Sequence, residues 1–366
     1  MKNHRILIMA GGTGGHVFPA LAVAHEFQKE GMIVEWLGTK QGLEATLIPK
    51  AQIPIHYITV TAVRREGLLK RLLAPVRLLI SLIQALKIIH HFKPNLVLGM
   101  GGFAAGPGGI AAWCLKCPVV VHEQNAIAGV TNRILARFSK KVLEGFPNSF
   151  PKDFLKENPV VFTGNPVREE FLHYPEPSAR YRDRAQNSSN PLRLLIVGGS
   201  QGARALNQLC PKAIKIIPEN ERPEIWHQAG SAHLDATLKD YAANNVKARV
   251  DAFIDNMAEA YAWADLVICR SGALTVAELA AVGVASILIP FPFGVDDHQT
   301  YNGRFLETIG AAQLIQQKDL TPEKLSEIIV GLSKDRDKLL SMAEAAKRFA
   351  RPKAAKEVAE ICRKIL

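Results

Sequence analysis

The chain has 366 residues, enough for two domains at about 150 residues each, and its 48% hydrophobic and 22% charged residues are the balance of a globular protein. That excludes a small disulfide-stapled module, a disordered chain and a multi-span membrane protein. The net charge of +11 is uneven: residues 1–165 hold 19 basic against 9 acidic side chains, and the remainder 26 against 25. A concentrated positive field attracts nucleic acid, anionic lipid headgroups or a polyanionic substrate. The five cysteines are odd in number and scattered through apolar segments, which points to a reducing compartment rather than a disulfide framework. Cys114 and Cys117 form a CxxC with no second Cys or His pair at metal spacing and read as core packing. The apolar run at residues 6–10 leads into glycines instead of a cleavage site, so no export signal is expected.

Short β-branched runs alternate with helix-length segments, the pattern of parallel sheets covered by helices. The first strand, residues 5–9, runs into Ala10-Gly11-Gly12-Thr13-Gly14-Gly15-His16, and a helical pattern follows through Phe27. Glycines between a strand end and a helix start let the backbone approach an anion, and the helix N-terminus offers unpaired N–H groups and a positive dipole end. The turn is placed as a phosphate or sugar-hydroxyl site. The dinucleotide fingerprint is absent there, because Val17 stands where its third small residue belongs. A second strand is expected at residues 33–37.

Residues 64–83 are both apolar and cationic. Pro75 suits the first turn of a helix running to about His91, with Leu72, Val76, Leu79, Ile80 and Ile83 as a stripe able to face the core and Leu78 and Leu82 beside it. Arg64, Arg65, Lys70, Arg71, Arg77 and Lys87 lie close by. Two readings stay open: monotopic contact with anionic lipid, and a buried helix with a solvated charged end. Arg77, Ser81, Gln84 and Lys87 leave no apolar run of the ~20 residues that a spanning helix needs. Zinc-finger spacing, an RNP-like motif and interleaved stacking aromatics are all missing, so no nucleic acid is expected.

The strand at residues 96–98 ends in Gly99-Met100-Gly101-Gly102-Phe103-Ala104. Here Gly99-x-Gly101-x-x-Ala104 satisfies the relaxed fingerprint, with Glu123 about twenty residues on, which keeps a nicotinamide dehydrogenase as a rival reading. The strand at 119–121 is followed by His122-Glu123-Gln124-Asn125, four polar side chains that read as a binding or catalytic edge, or as helix capping by Asn125 beside a satisfied histidine. After a strand at 160–162 a polar, Pro-rich stretch, roughly 165–191, is the expected domain junction.

The alternation restarts with strands at 193–197, 224–227, 246–250, 266–268 and 285–289. Gly198-Gly199-Ser200-Gln201-Gly202-Ala203 opens the second domain as the first turn opened the first. Three such turns, divided between two domains, suggest ligands in a cleft between facing sheets. Ser271 and Gly272 start a helix whose N–H groups face an anion, and Glu278 inside it either reaches ribose hydroxyls or is solvated. Asp296-Asp297-His298 has the composition of a metal site, but adjacent side chains at a helix start diverge and no second ligand cluster is near. No metal is expected; Gln299 and Asn302, i to i+3, read as hydrogen bonders to sugar hydroxyls. Residues 321–366 are helical, with Pro352 before the last helix.

These motifs, in order over nearly the whole chain, together with Gly164-Asn165-Pro166-Val167-Arg168, resemble those of the MurG family of bacterial peptidoglycan glycosyltransferases. The resemblance implies a GT-B architecture, α/β with two Rossmann-like domains: residues 1–164 for the acceptor and membrane, and 165–366 for the UDP-sugar donor. The last helix, about 353–366, is expected to pack back on the first domain. It implies inverting transfer of N-acetylglucosamine from UDP-N-acetylglucosamine to the C4 hydroxyl of a lipid-linked muramyl pentapeptide (lipid I), giving lipid II and UDP. No cofactor is implied, and the implied place is the cytoplasmic face of the bacterial inner membrane, against anionic lipid and with cell-wall synthesis proteins as further partners. In this chain Ile254 would lie at the uracil and Glu278 at the ribose. Ser200, Arg168 and the helix after Gly272 would hold the diphosphate, while Ala273, Leu274, Thr275, Val276, Ala277 and Gln299 line the sugar and nucleotide pocket. Thr13, Gly14, Gly15 and Asn125 would complete the donor site. Gly101, Gly102 and Phe103 would meet the acceptor, with Arg71, Leu72, Arg77, Leu78 and Leu82 at the membrane; the family often has Tyr at the position of Phe103. The reaction needs a base at the acceptor hydroxyl and positive charge at the leaving diphosphate. His16 is the first candidate base, since imidazole titrates near neutrality, with Glu123 and His122 as rivals.

Overall fold

Near-continuous Val, Ile and Leu runs make strands buried on both faces, and such strands pair in parallel under covering helices. The structure, a computed structural model, describes residues 4–60, 74–151, 159–185, 190–199 and 202–366. Of the residues singled out above, Arg64, Arg65, Lys70, Arg71, Leu72, Ser200 and Gln201 lie outside these. The chain divides into two units: Met1–Arg168 with Arg351–Leu366, and Glu169–Ala350.

Among the described residues, unit 1 carries the seven strands β1 (Arg5–Met9), β2 (Ile33–Gly38), β3 (Ile55–Tyr57), β4 (Leu96–Gly99), β5 (Val119–Glu123), β6 (Lys141–Glu144) and β7 (Val160–Phe162), all parallel, in the order β3-β2-β1-β4-β5-β6-β7. Unit 2 carries β8 (Arg193–Val197), β9 (Glu224–Gln228), β10 (Arg249–Asp251), β11 (Leu266–Cys269), β12 (Ala285–Leu288) and β13 (Ala312–Leu314), also parallel, in the order β10-β9-β8-β11-β12-β13. In each sheet the order reverses beside its first strand. The turns after β1 and β4, and after β8 and β11, therefore flank a switch point, where parallel sheets open a crevice for ligands.

Side chains of β1 alternate between two cores, as strand geometry requires. Ile6 and Ile8 meet Val17, Ala20 and Phe27 of the helix Gly14–Lys29, and the final helix Ala354–Arg363 adds Val358, Ala359 and Cys362 to the same cluster. Leu7 and Met9 face the other way, toward Ala85, Ile89 and Phe92 of the helix Ala74–Phe92 and Ala111 and Ala112 of the helix Ala105–Cys114. In unit 2, Leu194, Ile196, Ile268 and Ile287 pack with helices Arg204–Ile216, Pro322–Lys334 and Arg336–Phe349.

Several expectations are corrected. The stretch expected as a junction holds the helix Pro177–Ala185: Tyr181 is buried with its hydroxyl donating to Asp265 O at 2.7 Å, and Arg184 and Arg336 flank the Asp265 carboxylate. Beside these differences, the units divide at 168/169 where 164/165 was expected, and residues 351–366, whose helix from about 353 was expected to pack back on the first domain, fall in unit 1. Strands β3, β6 and β13 were not expected, because each is three or four residues long and carries polar or charged side chains; β10 begins three residues later than expected. The helix at 74–92 presents the opposite face from the one expected: Ser81, Ala85, Ile89 and Phe92 are buried, while Val76, Leu79, Ile80 and Ile83 are exposed. Ser81 decides this, since its hydroxyl is within hydrogen-bond distance of Thr59 O (2.6 Å) and Arg77 O (2.7 Å). Cys114 is exposed and Cys117 half-buried, so the CxxC is only partly core. Burial pushes the Cys117 thiol up to about 11.

Val358 is fully buried against the helix that bears His16. Val358→Ala should lower stability by about 2 kcal/mol, between the usual costs of deleting one methyl and a whole Leu side chain; an unchanged denaturant midpoint would show that the final helix does not support unit 1.

Candidate functional site

In unit 1 the segments after β1, after β4 and at the end of β5 come together. Thr13 has an extended backbone (φ −104°, ψ 163°) just before the helix Gly14–Lys29, and its hydroxyl makes no capping bond. The first-turn N–H groups of that helix have no intrahelical partner, as at any helix start. His16 is half-buried in this turn, with Nδ1 2.8 Å from Gln124 Oε1. Gly101, with φ +91°, abuts the same ring: a Cβ there would stand 2.7 Å from His16 Nδ1. Only glycine suits both demands. Gly102 approaches the Gly11 carbonyl just as tightly, and Phe103 is exposed.

The two rival bases behave differently. His122 is wholly buried, Nε2 lies 3.0 Å from Gly164 O, and Nδ1 lies 3.0 Å from Gln124 Nε2. Desolvation lowers its pKa to about 4, so it is neutral near pH 7. Glu123 is buried too, and its two oxygens accept four donors: Asn125 N and Nδ2 on one, Gly129 N and Asn132 Nδ2 on the other. A carboxylate so occupied holds a loop rather than taking a proton from a substrate. The same bonds keep it from a ribose, which removes the dehydrogenase reading of the turn after β4. Neither rival is placed as a base; His16 is the accessible titratable group of the three, and its Nε2 has no hydrogen-bond partner among the described residues.

In unit 2, Gly199 (φ +80°) and Gly202 (φ +76°) shape the turn after β8. The buried Gln228 amide joins it to the next segment: Nε2 donates to Gly199 O at 3.0 Å while Oε1 accepts from Ile254 N at 2.9 Å. The helix Ala273–Val282 starts after Gly272 without a side-chain cap, and its ladder begins with Val276 N to Gly272 O at 3.0 Å. The N–H groups of Ala273, Leu274 and Thr275 are thus those left for a ligand. Ser271 Oγ beside them is buried with no partner among the described residues. Thr275 and Ala277 reach the surface, whereas Val276 is wholly buried and cannot line a pocket with its side chain. Glu278 is nearly buried on the same helix. Gln299 Oε1 accepts from Phe291 N at 2.9 Å. Asn302, expected at sugar hydroxyls, is fully buried and donates to Ser271 O at 3.3 Å, so it braces the helix start instead.

Arg168 ends unit 1, its guanidinium 4.6 Å from the centre of the Phe18 ring on the helix that carries His16. Leu78 is exposed, Arg77 half-buried, and Leu82 leans on the core. Among the described residues no cluster of three or more His, Cys, Asp or Glu could hold a metal ion, and no helix is long and apolar enough to cross a membrane. Asn132 and Gln228 were missed as determinants of the site, and Gln124, read only as part of the polar run at residues 122–125, was given no role of its own. For Gln124 and Gln228 the signal is a polar amide at, or just beyond, the carboxyl end of an apolar strand, the same one that singled out His122 and Glu123; Asn132 stands inside the helix Val130–Ala136, where no such signal marks it.

Comparison with known proteins agrees with this layout. Residues 6–144 match the glycosyltransferase family 28 N-terminal domain and residues 193–358 its C-terminal domain. The chain is 49% identical over 361 residues to the UDP-N-acetylglucosamine–N-acetylmuramyl-(pentapeptide) pyrophosphoryl-undecaprenol N-acetylglucosamine transferase of Coxiella burnetii, covering 99% of this chain and 98% of that one. It is 50% identical over 362 residues to the enzyme of the same name from Cellvibrio japonicus, with the same coverage. The crystal structure of MurG from Acinetobacter baumannii matches with a TM-score of 0.82 at 41% identity over 99% of both chains.

His122 and His227 both have pKa values lowered by burial, to about 4 and about 3, below the ordinary value of 6.5. A depressed histidine adds stability that is fully present above the unfolded pKa and is lost as pH falls through the folded one. Melting temperature should therefore fall steadily from about pH 6.5 to about pH 4 at fixed ionic strength; a flat profile over that window would contradict the neutral, buried histidines.

Proposed function

The chain belongs to glycosyltransferase family 28, among the MurG transferases, and from that membership we infer that it transfers N-acetylglucosamine from UDP-N-acetylglucosamine to lipid-linked N-acetylmuramyl pentapeptide. Similarity over 99% of the chain to transferases of that name carries this reading. The acceptor's C4 hydroxyl attacks C1 of the sugar, the bond from C1 to the diphosphate oxygen breaks, and UDP leaves with the electron pair. The hydroxyl proton passes to His16. One displacement inverts the α-linked donor to a β-linked product.

The support for His16 is its accessibility beside two saturated neighbours. Unit 2 provides the donor groups: the turn after β8, Ser200 within it, the start of the helix Ala273–Val282, Ile254 at the uracil, Glu278 at the ribose and Gln299 near the sugar. A helix start is worth about 0.3–1 kcal/mol toward an anion, up to about 2 when partly buried. That is less than the departing diphosphate demands, so Arg168 supplies further charge. Gly101, Gly102 and Phe103 face the acceptor. The enzyme works peripherally at the cytoplasmic face of the membrane, where the helix Ala74–Phe92 exposes Val76, Leu78, Leu79, Ile80 and Ile83 beside a basic chain segment.

Purified protein should release UDP from UDP-N-acetylglucosamine only when lipid-linked muramyl pentapeptide is added, and should do so in EDTA. Release without acceptor, or none with it, would defeat the assignment. Arg168→Ala should lower kcat about 100-fold, the scale of losing one charge-stabilising donor, with the circular dichroism spectrum unchanged; near-normal turnover would remove the residue from the mechanism. Separately, Leu79→Glu with Ile83→Glu should weaken co-sedimentation with phosphatidylglycerol vesicles, and full retention would place the lipid contact elsewhere.

A further inference from the structure

We propose that Gln124 and His122 are positioning residues that fix the tautomer of His16, holding the proton on its Nδ1 and leaving Nε2 as the basic nitrogen. The inference rests on the reading of His16 as the base and specifies which atom acts.

The argument starts at the far end of a buried chain of contacts. Gly164 O, 3.0 Å from His122 Nε2, can only accept, so Nε2 carries the proton. His122 is neutral, as burial dictates, and its Nδ1 is therefore bare and accepts. The donor to it is Gln124 Nε2 at 3.0 Å. The amide's orientation is fixed a second way, because the same Nε2 lies 3.1 Å from His122 O, another pure acceptor. Asn165 Nδ2 donates to Gln124 O at 2.9 Å and holds the backbone of that residue in place. Gln124 Oε1 then faces His16 Nδ1 at 2.8 Å, and an amide oxygen accepts. His16 Nδ1 must donate.

The opposite assignment fails at both ends. With Nε2 of His122 bare, it would face the Gly164 carbonyl, lone pair to lone pair, and Thr163 Oγ1 at 3.2 Å could not relieve that clash with the carbonyl. With Nδ1 of His122 protonated, it would meet the Gln124 amino group. Flipping the amide would in turn set its oxygen against His122 O. A neutral histidine side chain in water carries its proton mainly on Nε2, so the chain of contacts reverses the intrinsic preference. It works as an orienting device and not a proton wire, because a glutamine amide does not pass a proton on.

The test is two-part. In the full-length protein with 15N-labelled histidine, with His16 assigned by its loss in His16→Gln, the ring shifts near pH 8 should show Nδ1 protonated and Nε2 bare. The reverse pattern, or fast averaging between the two, overturns the proposal whether or not His16 is the base. Gln124→Met, close in size but without donor or acceptor, should shift His16 toward the Nε2-protonated form and lower kcat about 10-fold while the KM for UDP-N-acetylglucosamine stays within twofold. An unchanged His16 tautomer in that variant overturns the proposal, and failure of the variant to fold leaves the wild-type spectrum as the deciding measurement. If the tautomer is as stated but His16→Ala keeps full turnover, the base assignment falls and the positioning of the ring stands.

Discussion

One buried carboxylate shapes the turn on which the site of unit 1 depends. Glu44 is fully buried; Oε2 accepts from Gly12 N at 2.9 Å, and Oε1 from Thr39 N at 2.9 Å and Thr39 Oγ1 at 2.8 Å. It thereby ties the turn after β1 to the turn after β2, the two segments that leave the sheet side by side. Gly11 and Gly42 crowd the same carboxylate so closely that any Cβ would strike it. Packing alone therefore requires these glycines. An unpaired carboxylate at that depth would be costly; three donors remove the cost and fix where the helix bearing His16 begins.

Much of the fold was legible because parallel strands buried on both faces leave continuous apolar runs. Residues 5–9, 96–98 and 193–197 announced themselves in this way, and their glycine turns marked the switch points. The short strands were not legible: β3 reads Ile-His-Tyr and β6 ends in Glu144, whose oxygens accept from Asn148 N and Ser149 N. Their pairing is settled by neighbours distant in sequence, not by pattern. The face of the helix at 74–92 was misread for a related reason. Its apolar residues surround the axis, and a single serine hydrogen-bonded to Thr59 O chose the buried side.

The candidate site divides along the same line. The reaction implied by the family resemblance put His16 first as base, with His122 and Glu123 as rivals. Burial separates them, and burial belongs to tertiary structure. His122 and Glu123 are the last two residues of their strand, both are buried, and each spends its polar atoms on backbone and amide partners. A sequence lists what a side chain can do; the fold decides how much of that capacity is already used.

The two units meet a common problem with the same side chain. A turn that binds an anion must keep its own N–H groups free, so it has to be held by something other than those groups. Gln228 does this in unit 2, donating to Gly199 O and accepting from Ile254 N; Gln124 does it in unit 1, donating to His122 and accepting from His16. A carboxylate in either place could accept but not donate, and would bring a negative charge that opposes any anion at the turn. Lysine or arginine could donate but not accept. The primary amide is neutral and two-ended, and it has no pKa near neutrality to disturb that of an adjacent imidazole. The chemistry of holding a loop without competing for its ligand thus selects glutamine at both positions, and the glycines beside it then need only supply the turn.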